Sequence, residues 1–278
     1  MPSFQFDWQT IDNLKLVGEC WLPESNNLKA ICCLIHGFGE HIGRYEHVAT
    51  FLNLKNIGLI GFDLRGHGKS EGRRGIIPNY EALMQNIGEF LALTQHKFPD
   101  VPLILYGHSM GGNLALSYVL RYKPTIKAAI ITSPWIRLTH EAPFWKVFLG
   151  KMIAQVYSTY TDVASLNPDH LSRDLSVGKA YVADKLVHNR MGVTLFLAVE
   201  DAGEQILQNA KELQIPVLLM HGSDDQITSP NASQLFKEYA GSLVEFVLWK
   251  DARHELQNEI NKEEVIGKMI EWIDKVLA

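Results

Sequence analysis

The chain predicts an α/β fold, with a mostly parallel central sheet, helices on both faces and an inserted helical cap. Three observations carry this. Short apolar runs recur along the chain, helix-period segments alternate with them, and one stretch of about seventy residues breaks the alternation.

The first runs, "FQFDWQ" and "LKLVGECWLP", read as a hairpin or meander with one wet face, the first alternating apolar and polar with period two. "AICCLI" (30–35) and "IGLIGF" (57–62) are nearly continuous apolar text, the pattern of strands covered on both faces. "PLILYG" (102–107), "IKAAIIT" (126–132), "PVLLMHG" (216–222) and "VEFVLW" (244–249) repeat it. Helix patterns fall at 44–56, 80–97, 110–122, 206–213, 230–240 and 263–277. Such alternation gives a parallel sheet, whose ligands sit beyond the carboxyl ends of the strands. Between Pro134 and Gly203 no buried strand is legible; "APFWKVFLGKMIAQVYSTY" is helix-compatible and aromatic, and polar text follows. The expected division is a core of residues 1–134 and 204–278 with a helical cap at 135–203.

Composition narrows the function classes. The 278 residues are 46% hydrophobic and 21% charged, ordinary globular values. A net charge of −5 and a pI of about 6.1 supply no polybasic signature for nucleic acid. The N-terminal text lacks a secretion-signal pattern, and no run reaches the ~18 apolar residues of a spanning helix. Cys20, Cys32 and Cys33 are too few for a disulfide framework, and Cys32 and Cys33 point to opposite faces of one strand as buried thiols. A soluble cytoplasmic protein is expected.

"LYGHSMGGNLAL" (105–116) joins a buried-strand run to a helix run through G-x-S-x-G. A sharp strand–turn–helix corner strains the serine backbone and holds its hydroxyl above the sheet. The flanking glycines let the two backbones pass closely. Ser109 is therefore the candidate nucleophile. A hydroxyl needs a base, and the base needs an orienting acid. In corners of this kind the chain order is Ser, acid, His. His254, in "WKDARHELQNE", is the one histidine after residue 225 and stands just past the last strand run. Asp224 and Asp225 follow the preceding strand; neighbouring side chains diverge, so one of them faces His254.

An ester-cleavage oxyanion needs two N–H donors. Met110, after the nucleophile, supplies one, and Phe38, in the loop "LIHGFGEHIGRY", supplies the other. His36 and His41 lack a third ligand at metal-site spacing, so a packing and loop-fixing role is expected for His36 and no metal site is called.

Taken together, "HGFGEHIGRY", "DLRGHGKSEG", "GHSMGG", "TSPW", "HGSDDQIT" and "ARHELQNE" resemble the monoacylglycerol lipase and lysophospholipase branch of the α/β-hydrolase superfamily, in order from about residue 14 to 278. The resemblance implies an α/β-hydrolase fold and a triad of Ser109, Asp225 and His254, choosing Asp225 over Asp224. It implies an oxyanion hole from the Phe38 and Met110 amides. It implies a cap shaping an acyl tunnel, and places Glu40 and Arg44 near the polar glycerol end. Those two charges equally suit a structural pair holding their loop. "DLRGHGKSEG" reads as an architectural turn with Asp63 and Arg65 ion-paired. Phe38 departs from the smaller residue common in the branch. In the cap, Phe144, Trp145, Phe148, Met152 and Tyr157 share helical spacing. That face can line an acyl channel, rest on a bilayer surface or pack on the core.

The expected function is a serine hydrolase cleaving the carboxylic ester of a single-acyl-chain lipid, monoacylglycerol first, through an acyl-enzyme on Ser109 and with no cofactor or metal. The rivals keep the triad and change the substrate to a lysophospholipid, a short soluble ester or a proline-type aminopeptide. A non-catalytic scaffold is disfavoured by the complete triad.

Overall fold

A computed structural model describes residues 2–25, 27–140, 144–164 and 166–278, with the main chain alone for residues 144, 146 and 147. Its elements are β1 (Ser3–Gln9), β2 (Lys15–Trp21), β3 (Ala30–Ile35), α1 (Glu46–Asn53), β4 (Ile57–Phe62), α2 (Tyr80–Lys97), β5 (Leu103–His108), α3 (Met110–Tyr122) and β6 (Ala128–Thr132). After them come α4 (Phe144–Val156), β7 (Thr161–Val163), α5 (Leu175–Ala183), β8 (Arg190–Gly192), α6 (Val193–Gln208), β9 (Val217–Gly222), α7 (Pro230–Ala240), β10 (Val244–Trp249) and α8 (Lys262–Leu277).

Among the described residues eight strands form one sheet, ordered β1-β2-β4-β3-β5-β6-β9-β10. The β1–β2 and β2–β4 pairs are antiparallel and every later pair is parallel. The continuous apolar text of β3, β4, β5, β6 and β9 is explained by burial at every position, because helices cover both faces. Ile31, Cys33 and Ile35 join the core under α2, α3, α6 and α7, whereas Ala30, Cys32 and Leu34 join the core under α1 and α8. The two cysteines thus face opposite layers as expected, and burial pushes the Cys32 thiol up to about 12. Along β1 exposed and half-buried residues alternate, the wet-faced hairpin that its period-two text predicts.

Two expectations change. The helix expected over 206–213 runs over Val193–Gln208, so the expected cap boundary at 203/204 falls inside α6. Gly203 is the reason: it sits mid-helix where a Cβ would overlap the Ile136 carbonyl oxygen, a close-approach glycine rather than a stop. The Asp63–Arg65 pair is not formed. Arg65 makes a bidentate pair with Asp12 at 2.9 and 3.0 Å, and Asp63 accepts the Ile42 and Lys69 amides. The glycines of that turn do have positive φ, at Gly66, Gly68 and Gly72.

Between β6 and α6 the chain crosses the carboxyl edge of the sheet as α4, β7, α5 and β8, with β7 and β8 pairing antiparallel. It is tied to core loops by main-chain bonds: His188 N–H to Gly39 O (2.9 Å), Gly192 N–H to Gly75 O (2.9 Å) and Glu255 N–H to Leu171 O (2.7 Å). Among the described residues no helix is long and apolar enough to cross a membrane.

Candidate active site

β5 ends at His108 and α3 begins at Met110, so Ser109 makes the corner alone. Its φ of 55° and ψ of −118° lie where L residues are strained, by about 1–3 kcal/mol. Three main-chain bonds impose it: Ser109 N–H to Thr132 O (3.0 Å), with Ser109 O accepting from Asn113 (3.1 Å) and Trp135 (2.9 Å). A Cβ on Gly107 would lie 2.5 Å from Gly111 O, and one on Gly111 would overlap the Ile35 and His36 carbonyl oxygens. Both glycines are required by the close passage of β3, β5 and α3.

Ser109 Oγ lies 2.9 Å from His254 Nε2, and His254 Nδ1 lies 2.7 Å from Asp225 Oδ2. All three residues are buried. Asp225 also accepts from the Ile227 and Thr228 amides (2.7 and 3.0 Å), the Thr228 hydroxyl (3.0 Å) and His221 Nε2 (3.0 Å). Burial opposes its ionisation, but the His254 charge and the His221 and His254 hydrogen bonds outweigh that and hold the carboxyl far below its usual range. Burial likewise pulls His254 down, and Asp225, then Glu255 and Glu40, overcome it, so the imidazole titrates above its ordinary 6.5. Asp224 points away: it is exposed, 3.9 Å from the Arg253 guanidinium.

The loop after β3 meets this corner. Leu64 N–H donates to His36 Nε2, so His36 Nδ1 carries the proton and donates to Gly37 O at 2.7 Å. This is the loop-fixing role expected of His36. Burial pushes its pKa down to about 4, keeping the ring neutral. His41 accepts from Gly43 N–H and bonds Asp184, at the end of α5, at 2.8 Å. Among the described residues no group of three or more His, Cys, Asp or Glu is arranged to hold a metal. The Met110 N–H is at the first turn of α3, where amides lack intrahelical acceptors. Phe38 and Ser109 both line one cavity, and the Phe38 ring stands edge-on to His67 and His188 at 6.0 and 5.6 Å.

Glu40 and Arg44 fall in a buried charge cluster. Arg44 Nη1 donates to Glu40 Oε2 (2.6 Å) and Glu255 Oε1 (2.7 Å), and Nη2 donates to Glu255 Oε2 (2.7 Å). Glu40 Oε1 accepts Gly37 N–H and Tyr45 O–H, both at 2.7 Å, which shapes the loop around Phe38. Burial raises the Glu255 carboxyl, but the Arg44 charge and hydrogen bonds hold it down at about 2.

The cavity above Ser109 has a volume of about 330 Å³, at the small end for small-molecule sites. Its walls are mostly apolar, including Trp135, Leu138, Leu166, Leu171, Met191 and Phe196, with Glu40 and Glu255 as carboxylates. Trp145, Phe148, Met152 and Tyr157 do not line it; they are 61%, 56%, 49% and 57% exposed, and α4 rests on α6 with that stripe outward. The side chain of Phe144 lies outside the described residues. The sequence reading missed the cavity walls from β8 and α6, and it missed His221 and Glu255. The signal for the last two was present, since His221 opens "HGSDD" and Glu255 follows the base directly.

A strained serine corner and a buried imidazole–carboxylate pair over a parallel sheet define the α/β-hydrolase class. Residues 26–261 match the Hydrolase_4 family, described as serine aminopeptidase S33, and the chain belongs to that family. It is similar to an abhydrolase domain-containing protein of Dictyostelium discoideum, with 37% identity over 98% of this chain and 29% of that much longer protein. It is similar to the monoacylglycerol lipase of Mycolicibacterium smegmatis, with 27% identity over 95% of this chain and 94% of that one. Among solved structures, the monoacylglycerol lipase of Paleococcus ferrophilus superposes with a TM-score of 0.83 and 28% identity, covering 99% and 100% of the two chains.

Proposed function

We propose that the protein is a carboxylic ester hydrolase whose substrate is a single-acyl-chain lipid, monoacylglycerol, cleaved to fatty acid and glycerol. One observation carries this reading: the unbroken hydrogen-bond chain from Ser109 through His254 to Asp225 opens into an apolar cavity with a polar end. Ser109 Oγ attacks the ester carbonyl while His254 Nε2 takes its proton. The Phe38 and Met110 amides receive the oxyanion, and Asp225 stabilises the imidazolium. His254 returns the proton to the departing alcohol, and water repeats the cycle on the acyl-Ser109. The acyl chain lies against Trp135, Leu138, Met191 and Phe196. The head group lies toward Glu40, which Arg44 holds in place. The segment from residue 135 to the start of α6 forms the cap, which α6 anchors to the core. The outward stripe of α4 rests on a lipid surface, so that a cytoplasmic enzyme draws its substrate from the membrane.

The family's peptidase description has one observation in its favour: two cavity carboxylates suit a substrate ammonium. The apolar walls favour an acyl chain. Comparing monoacylglycerols, lysophosphatidylcholine, nitrophenyl esters of rising chain length and aminoacyl nitroanilides decides between them. Highest kcat/KM on long-chain monoacylglycerol is expected. A preference for two-carbon esters or nitroanilides would remove the lipid assignment.

A further inference from the structure

Glu255 is the residue next to the catalytic-base candidate, and three features fix it against the cavity wall. Its main-chain N–H is held by Leu171 O of the cap. The short helical turn Leu256–Asn258 begins directly after it. Its carboxylate grips Arg44 with both oxygens, and Asn258 Nδ2 adds a bond of 2.8 Å to Oε2. Side chains of Glu40, Arg44 and Glu255 are 3%, 11% and 3% exposed, so solvent screens the cluster little.

The charges do not balance. Two carboxylates against one guanidinium leave one unit of negative charge beside the reacting atoms. The guanidinium itself is occupied: Nη1 and Nη2 point at Glu40 and Glu255, the Tyr181 ring covers its face at 4.9 Å, and Arg44 is not part of the cavity wall. Glu40 and Glu255 are part of it. Among the described residues, Glu40 Oε2 and Glu255 Oε1 each accept from Arg44 Nη1 alone, so each keeps a lone pair. An ionised carboxylate can only accept. The polar end therefore offers acceptors to hydroxyl donors and repels an anion.

We infer that Glu255 sets the head-group specificity of this site, admitting an uncharged polyol leaving group and rejecting one that carries a phosphate. The inference rests on the ester-hydrolase reading above and adds a residue that discriminates among lipid esters. Without the Glu255 charge, the cluster becomes neutral and its repulsion of a phosphate at the cavity wall is lost. Glu255 acts here as a specificity residue rather than a catalytic one, since no transfer step uses it.

The test compares kcat/KM for a 1-monoacylglycerol and for the 1-acylglycerol 3-phosphate of the same chain, both as monomers, on the alkaline plateau of the pH profile. Nitrophenyl butyrate serves as a measure of intact fold and triad. The wild-type chain should favour the neutral lipid strongly. Glu255→Gln should cut that preference roughly tenfold or more, the scale of one removed charge a few ångströms from a phosphate. Glu255→Asp, which keeps the charge, should retain most of it. Equal wild-type rates on the two lipids overturn the inference, as does an unchanged ratio in Glu255→Gln with nitrophenyl butyrate activity intact. Should Glu255→Gln fail to cleave nitrophenyl butyrate, the wild-type ratio and its retention or loss in Glu255→Asp decide. A wild-type chain that cleaves nitrophenyl butyrate but neither lipid instead refutes the monoacylglycerol reading, and the inference falls with it.

Discussion

Replacing Asp225 by Asn keeps the shape of the side chain and removes its charge, and the structure dictates how the amide must sit. The Ile227 and Thr228 amides both donate to Oδ1, so the oxygen of the new side chain stays there. Its NH2 then occupies the Oδ2 position, 2.7 Å from His254 Nδ1. Two donors cannot face each other, so Nδ1 becomes the acceptor and the proton moves to Nε2. That nitrogen lies 2.9 Å from Ser109 Oγ and no longer has a lone pair to take the serine proton. A wrong tautomer of this kind costs on the order of 10⁴ in kcat, or about 5.5 kcal/mol. A second signature accompanies it. In the wild-type chain His254 titrates above 6.5, so activity rises with pH through that higher value. Without the carboxylate the largest upward influence on His254 is lost, and the acidic limb should move to lower pH. The assay is kcat/KM for a nitrophenyl ester across the pH range, with active sites counted independently by fold-sensitive spectroscopy. A loss under tenfold, or an acidic limb that stays put, would refute the tautomer argument.

Other consequences follow from the same geometry. Ser109→Gly relieves the positive φ that Ser109→Ala retains, so among inactive variants the glycine should melt higher, by about 1 kcal/mol after its extra backbone entropy is subtracted; calorimetry reads the difference. Gly111→Ala drives a methyl into the Ile35 and His36 carbonyls, and soluble protein should lose about 1–3 kcal/mol of stability in denaturant titration or fail to accumulate. Met152→Asp with Val156→Asp removes two exposed apolar side chains from α4, one in the stripe and one at the end of the helix. Vesicle sedimentation should show at least roughly tenfold weaker partitioning, with hydrolysis of a soluble ester unchanged.

The division between what the text of the chain discloses and what it hides is physical. Fully buried strands such as 30–35 and 57–62 announce themselves because every position must be apolar, and their observed ends agree with the runs. The serine corner is equally legible, since only glycine tolerates the backbone approaches at 107 and 111. The segment between β6 and α6 is harder to read. Its short β7–β8 antiparallel pair carries no periodic signal over three residues per strand, and Gly203 imitates a boundary while serving a close helix contact. The apolar spacing of α4 identifies one face of a helix but not which way that face turns; it turns to solvent. Ion-pair partners far apart in the chain, Arg44 with Glu255 and Arg65 with Asp12, have no local signature. The adjacent Asp63–Arg65 text suggested a pairing that the turn does not make.

The whole reaction starts from Ser109 as the nucleophile. Peptide mapping by mass spectrometry after treatment with a long-chain fluorophosphonate addresses this directly. One equivalent of the phosphonyl group is expected on the peptide carrying Ser109, with protection by monoacylglycerol and no labelling of Ser109→Ala. Labelling of another residue, or equal labelling of folded Ser109→Ala, would contradict it.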